Sequence, residues 1–115
     1  MAKQNQTLDL VFQALSDPIR RDVLDRLQSG PASLGDLADG HGISLPSFSR
    51  HIGVLEDAGL IATEKKGRVR MCRLVPKRLQ VLDDYLAGYR GMFAAKPVGY
   101  GKLAKSLYGA DKRSS

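Results

Sequence analysis

Apolar residues recur at spacings of three and four through the first half of the chain, give way to alternation, and then return to three and four. Leu8, Val11, Phe12 and Leu15 share one face of a helix. Asp17-Pro18 predicts the start of a second helix: the aspartate can accept first-turn N–H groups, and proline lacks the N–H that would go unbonded there. Ile19, Val23, Leu24 and Leu27 form its buried stripe, and Ser29-Gly30-Pro31 ends it. A short third helix follows, with Ser33 as N-cap and Leu34, Leu37 and Ala38 facing inward. Gly40-His41-Gly42 is a tight connection, and Ile43 is expected to plug the core. Ser44 caps a fourth helix with Pro46 in its first turn. Leu45, Phe48, Ile52 and Leu55 form its apolar face, and Gly59 closes it.

Here the period shortens to two. Leu60 to Glu64 and Arg68 to Leu74 read as two strands joined by Lys65-Lys66-Gly67, with Val69 and Met71 on one face and Arg70 and Cys72 on the other. Pro76 opens a last long helix on which Leu79, Leu82, Leu86, Tyr89 and Phe93 repeat at 3, 4, 3 and 4, a seam suited to pairing with another helix. Glycines and Pro97 then break the pattern. Residues 96–115 are expected to be a basic, flexible tail with a short helix at Lys102 to Tyr108.

Composition narrows the classes. The chain has 115 residues, 43% of them hydrophobic, which is enough for one packed domain. No apolar run approaches the ~20 residues of a membrane span, and the first residues lack the apolar stretch of a secretory signal. The single cysteine, Cys72, excludes an internal disulfide. A net charge of +6 suggests an anionic partner without naming it. Its placement says more. Lys65, Lys66, Arg68, Arg70, Arg73, Lys77 and Arg78 fall within fourteen residues that contain no acid.

The fourth helix supplies the context for those cations. At ~100° per residue, Ile52, Leu45 and Leu55 lie close to Phe48, whereas Pro46, Arg50, Gly53 and Asp57 point the opposite way. Ser47 and Ser49 lie on the flanks, with His51 nearer the buried edge. A short polar face with one arginine suits a major groove, since arginine reaches guanine O6 and N7 together and serine donates to bases or phosphates. Helices, a hairpin and a closing helix make a winged helix-turn-helix, mainly α with a small β-hairpin: about five helices plus a two-stranded wing, over residues 7–95. The expected DNA-binding residues are Ser44, Pro46, Ser47, Ser49, Arg50, His51, Lys65, Lys66, Arg68 and Arg70.

The chain resembles the ArsR-type winged-helix repressors of bacteria. The residues that carry the resemblance are Ala14-Leu15-Ser16-Asp17-Pro18-Ile19-Arg20-Arg21, Gly35-Asp36-Leu37-Ala38, Ile43 through Ile52, Val54 through Ile61, and Gly67-Arg68-Val69-Arg70. The resemblance implies a cytoplasmic homodimer on double-stranded promoter DNA, associated with the nucleoid when bound. It also implies an interface built from the first and last helices, here Leu8, Val11, Phe12, Leu79, Leu82, Leu86, Tyr89 and Phe93. An unidentified small-molecule or protein effector stays open.

Sharper chemistry finds little support. The metal site of many relatives needs a Cys-x-Cys pair where this chain has Leu34-Gly35-Asp36-Leu37, and Asp83 and Asp84 have no His or Glu beside them on the last helix. No metal and no cofactor is expected. Cys72 reads as a small buried hydrophobe rather than a redox sensor. His51 with Ser47 or Ser49 lacks the framing of a nucleophile, so no enzyme is expected. His51 reads as edge packing or as a phosphate contact, and Arg20 and Arg21 as an exposed face or as support for DNA or dimer contacts. The rival reading is a winged helix that binds proteins rather than DNA.

Overall fold

Asp17 sets how the first two helices meet. A computed structural model describes residues 2–94, with side chains from 6 to 93, and joins α1 (Ala2–Leu15) to α2 (Pro18–Leu27) through Ser16 and Asp17. The Asp17 carboxylate accepts from the N–H of Ile19 at 2.8 Å and of Arg20 at 3.4 Å. Desolvation is the largest single influence on this carboxyl and raises its pKa. The two N–H donors and the nearby His51 and Arg20 outweigh it and leave the pKa below the ordinary aspartate value. The last carbonyls of α1 would otherwise go unbonded. Arg20 Nε donates to the Ala14 carbonyl at 2.8 Å, and Arg21 Nη1 donates to that of Leu15 at 2.7 Å. The two arginines thus splice α1 to α2, a role their sequence positions did not suggest.

Past α2 the chain forms β1 (Ala32–Ser33), α3 (Leu34–Ala38), α4 (Leu45–Asp57), β2 (Ile61–Lys66), β3 (Val69–Leu74) and α5 (Lys77–Ala94). The sheet is antiparallel, in the order β1-β3-β2. Its third strand is an addition to the expected two-stranded wing. Ala32 pairs with Cys72 and Ser33 with Met71, and two residues are too few to show a period of their own. Ser33 leaves the sheet as the N-cap of α3, its hydroxyl accepting from the Asp36 N–H at 3.0 Å.

The core gathers Val11, Val23, Leu24, Leu27, Leu37, Phe48, Ile52, Leu55, Leu60, Ile61 and Cys72 from every layer up to the sheet. Three expectations need correction. Val11, assigned to the dimer interface, is fully buried within its own subunit. It shares a face with Ala14, whereas Phe12, one position around the helix, is 44% exposed. Ile43 is 38% exposed rather than a core plug, and Leu45 is 55% exposed because it precedes the first buried turn of α4.

The chain divides into two compact units, the first ending at Leu82 and the second beginning at Asp83. Leu79 and Leu82 pack partly against the core of the first. In the second, Asp83 and Arg90 form an ion pair, and the Tyr85 and Tyr89 hydroxyls lie 3.4 Å apart. Leu86 and Tyr89 are exposed, and Phe93 is half-buried. The expected tail and its helix at 102–108 lie outside the described residues. Among the described residues no helix is long and apolar enough to cross a membrane.

Candidate nucleic-acid interface

The local chemistry at both ends of α4 fixes its position. At its start the Ser44 hydroxyl accepts from the Ser47 N–H at 3.2 Å and donates to the Ser47 hydroxyl at 3.0 Å, with Pro46 in the first turn. At its end the Gly59 N–H reaches the Glu56 carbonyl at 2.9 Å and the Leu60 N–H reaches that of Leu55 at 3.0 Å. This paired closure needs positive φ between its two bonds, and Gly59 has φ +75°. A Cβ there would also lie 2.7 Å from Arg78 Cγ. Leu60, fully buried, then anchors the chain as it enters β2.

Phe48, Ile52 and Leu55 therefore face the core, and Ser44, Pro46, Ser49 and Arg50 lie exposed on the other side, with Ser47 half-buried at the flank. Arg50 makes no ion pair or hydrogen bond among the described residues. The far face of α4 consequently offers a short polar strip with one uncommitted guanidinium. No acid lies in the first turn of the helix.

The wing carries the cations. The first strand runs further toward the tip than expected and the second starts one residue later: Lys65 and Lys66 belong to β2, β3 begins at Val69, and the turn is Gly67-Arg68 with Lys66 paired to Val69. Gly67 has φ +66°, which a two-residue hairpin turn demands. Lys65 stands directly opposite Arg70. Like charges so placed repel, and their field remains for an anion to satisfy. Arg70 is not wholly free. Its Nη1 donates to the Thr63 hydroxyl at 3.0 Å, and Thr63 in turn donates to the Glu56 carboxylate at 2.9 Å. That relay ties the wing to the last turn of α4. Lys65, Lys66 and Arg68 are exposed and make no ion pair among the described residues. Cys72 lies inward on the same strand face, fully buried. Desolvation, helped by Glu56 and opposed by Arg70, pushes its thiol pKa up. Burial and the raised pKa both work against the reactive thiolate form.

Two histidines complete the site. His51 is half-buried, with Nδ1 3.0 Å from Arg20 Nη1. His41, in the turn between α3 and α4, stacks on Phe48 with ring centroids 5.5 Å apart and has Nε2 3.0 Å from the Asp22 carboxylate. Arg26 pairs with the same carboxylate at 3.1 Å and donates to the Asp36 carbonyl at 3.3 Å. The turn between α3 and α4 is thus pinned to α2. No sequence signal distinguishes His41, because its partners lie on other elements. Among the described residues no group of three His, Cys, Asp or Glu is placed to hold a metal ion.

Residues 15–64, from the end of α1 into β2, match the model of a helix-turn-helix domain family. An HTH-type transcriptional regulator of Mycobacterium tuberculosis is 38% identical over 98 residues, covering 85% of this chain and 89% of that one. A crystal structure of an ArsR family transcriptional regulator superimposes with a TM-score of 0.74 at 42% identity, covering 78% of this chain and 93% of that one. The chain belongs to the ArsR family. It is a DNA-binding transcriptional regulator, not an enzyme. The transcriptional repressor SdpR of Bacillus subtilis is 45% identical over 58 residues. That match covers half of this chain and 64% of SdpR, somewhat under two thirds of its length.

Proposed function

We propose that two copies of this chain act as a homodimeric repressor on an imperfect palindrome in promoter DNA. Each copy lays α4 in a major groove and its wing along the flanking phosphates. The carrying observation is the strip Ser44, Pro46, Ser47, Ser49 and Arg50 on α4, turned away from Phe48, together with the exposed cations of the wing that follows the helix. Arg50 reads a guanine edge, and Ser47 and Ser49 reach bases or phosphates beside it. Ser44 and Pro46 bring the helix N-terminus to the backbone, where its dipole favours phosphate. His51 meets the backbone at the helix flank, and Lys65, Lys66, Arg68 and Arg70 neutralise phosphates without regard to sequence. The two copies meet through apolar residues of the first and last helices: Leu8 and Phe12 on α1, and Leu86, Tyr89 and Phe93 on α5. The repressor SdpR supports the sign of regulation. Such a protein works in the bacterial cytoplasm, on the nucleoid when DNA-bound.

Selection from random duplex DNA tests this reading. The expected product is a pair of inverted half-sites about one helical turn apart. No enrichment at low salt, or enrichment of single half-sites, overturns it.

A further inference from the structure

Arg20 lies in the first turn of α2 and commits all three guanidinium nitrogens inside the protein. Nε donates to the Ala14 carbonyl at 2.8 Å, and Nη2 donates to the Gln13 carbonyl at 3.0 Å and to the Ser16 hydroxyl at 3.5 Å. These bonds close the last turn of α1. The remaining nitrogen, Nη1, reaches across to α4 and lies 3.0 Å from His51 Nδ1.

That third contact has a chemical consequence. A guanidinium carries donors only and keeps its protons in a protein. Nδ1 of His51 must therefore be the acceptor, bare of hydrogen, and the proton of the neutral ring sits on Nε2. Nε2 has no partner among the described residues, so an N–H donor is what the ring has left to offer. The opposite tautomer would present a lone pair there, and a phosphate oxygen would repel it.

We infer that Arg20 is a positioning residue for DNA binding, holding His51 in the Nε2–H tautomer so that the second turn of α4 offers a neutral donor to a DNA phosphate. This rests on the reading of α4 as the DNA-facing helix. Arg20 gives Nε and Nη2 to the α1–α2 junction and one Nη1 N–H to His51, so its part in DNA binding runs through His51.

Ring-nitrogen chemical shifts of His51 in the free protein test the first half, with protonated Nε2 and bare Nδ1 expected. Arg20→Lys keeps the charge but loses the fork, and it should mix the tautomers. Affinity for the duplex recovered by selection tests the second half. His51→Gln, whose amide N–H stands near the Nε2 position, should bind within about threefold of wild type, and His51→Asn and His51→Ala should bind about tenfold more weakly. The salt slope should stay unchanged in all three, since no charge is lost. Arg20→Lys should weaken binding by a similar factor, and adding it to His51→Ala should cost nothing more. Thermal melts establish that each variant is folded.

A protonated Nδ1 in wild type overturns the inference without any DNA experiment. So does a His51→Ala variant that binds as wild type, or a double variant whose losses multiply, which would mean that Arg20 acts only by closing α1. A wild-type protein that binds no duplex overturns the reading of α4 and this inference together.

Discussion

Single residues at this site divide by what they can distinguish. Arg50 faces away from the core with no partner among the described residues, whereas Arg68 sits at the tip of the hairpin. Arg50→Ala is expected to relax preference at one base position of the selected site, and Arg68→Ala to weaken every sequence alike and reduce the salt slope by about 0.9. Titrating binding to the selected and a scrambled duplex across salt concentrations separates the two. Asp17 acts on stability instead. Its native carboxyl titrates below the ordinary value, so its contribution is fully present above about pH 4. It is lost as pH falls through the lower native pKa. Asp17→Ala should cost about 1 kcal/mol near neutral pH. Asp17→Asn keeps an N-cap acceptor without the titrating charge. Its melting temperature should therefore fall less steeply than that of wild type between about pH 4 and 2.

At the scale of elements, what matters is how the wing is held against α4. Thr63 links them through one hydroxyl, accepting from Arg70 and donating to Glu56. Valine keeps the branched shape that suits a strand and removes both bonds. Thr63→Val should cost only about 0.5–1 kcal/mol in a thermal melt, because the relay is exposed. Affinity for the selected duplex should fall several-fold with an unchanged salt slope, since every cation remains. Unchanged affinity would mean that strand pairing alone aims the wing. The same scale explains α4 itself: the closure at Gly59 and the burial of Leu60 fix where the helix stops and the sheet begins.

For the whole molecule, the exposed apolar side chains of the first and last helices bear on assembly. On α5, Leu86 and Tyr89 are exposed, 41% and 46% respectively, and α1 exposes Leu10 and Phe12. Water-facing apolar side chains of this size on amphipathic helices suit a second subunit. Leu86→Asp is expected to give folded monomers by analytical ultracentrifugation, with loss of palindrome binding. An unchanged sedimentation profile would remove α5 from the interface.

The order of helices, the hairpin, the caps at Asp17, Ser33 and Ser44, and the polar strip of α4 were all legible in the sequence. Each is set by residues within a turn or two of one another, where periodicity and capping act. The short strand β1 was not, since its two residues exist as a strand only by pairing with Met71 and Cys72. Val11 and Phe12 show the same limit. Both belong to the apolar stripe of α1, and only packing against other elements turned one into the core and the other to solvent. Arg20, His51, His41 and Asp22 are the clearest case. Their contacts join elements from 19 to 31 residues apart, and no local pattern records a hydrogen bond made across that distance. The sequence by itself determined which helix carries the polar face and where the cations cluster. The tertiary structure decided which polar groups are spent inside the protein and which stay uncommitted at its surface, because that depends on neighbours brought together only by folding.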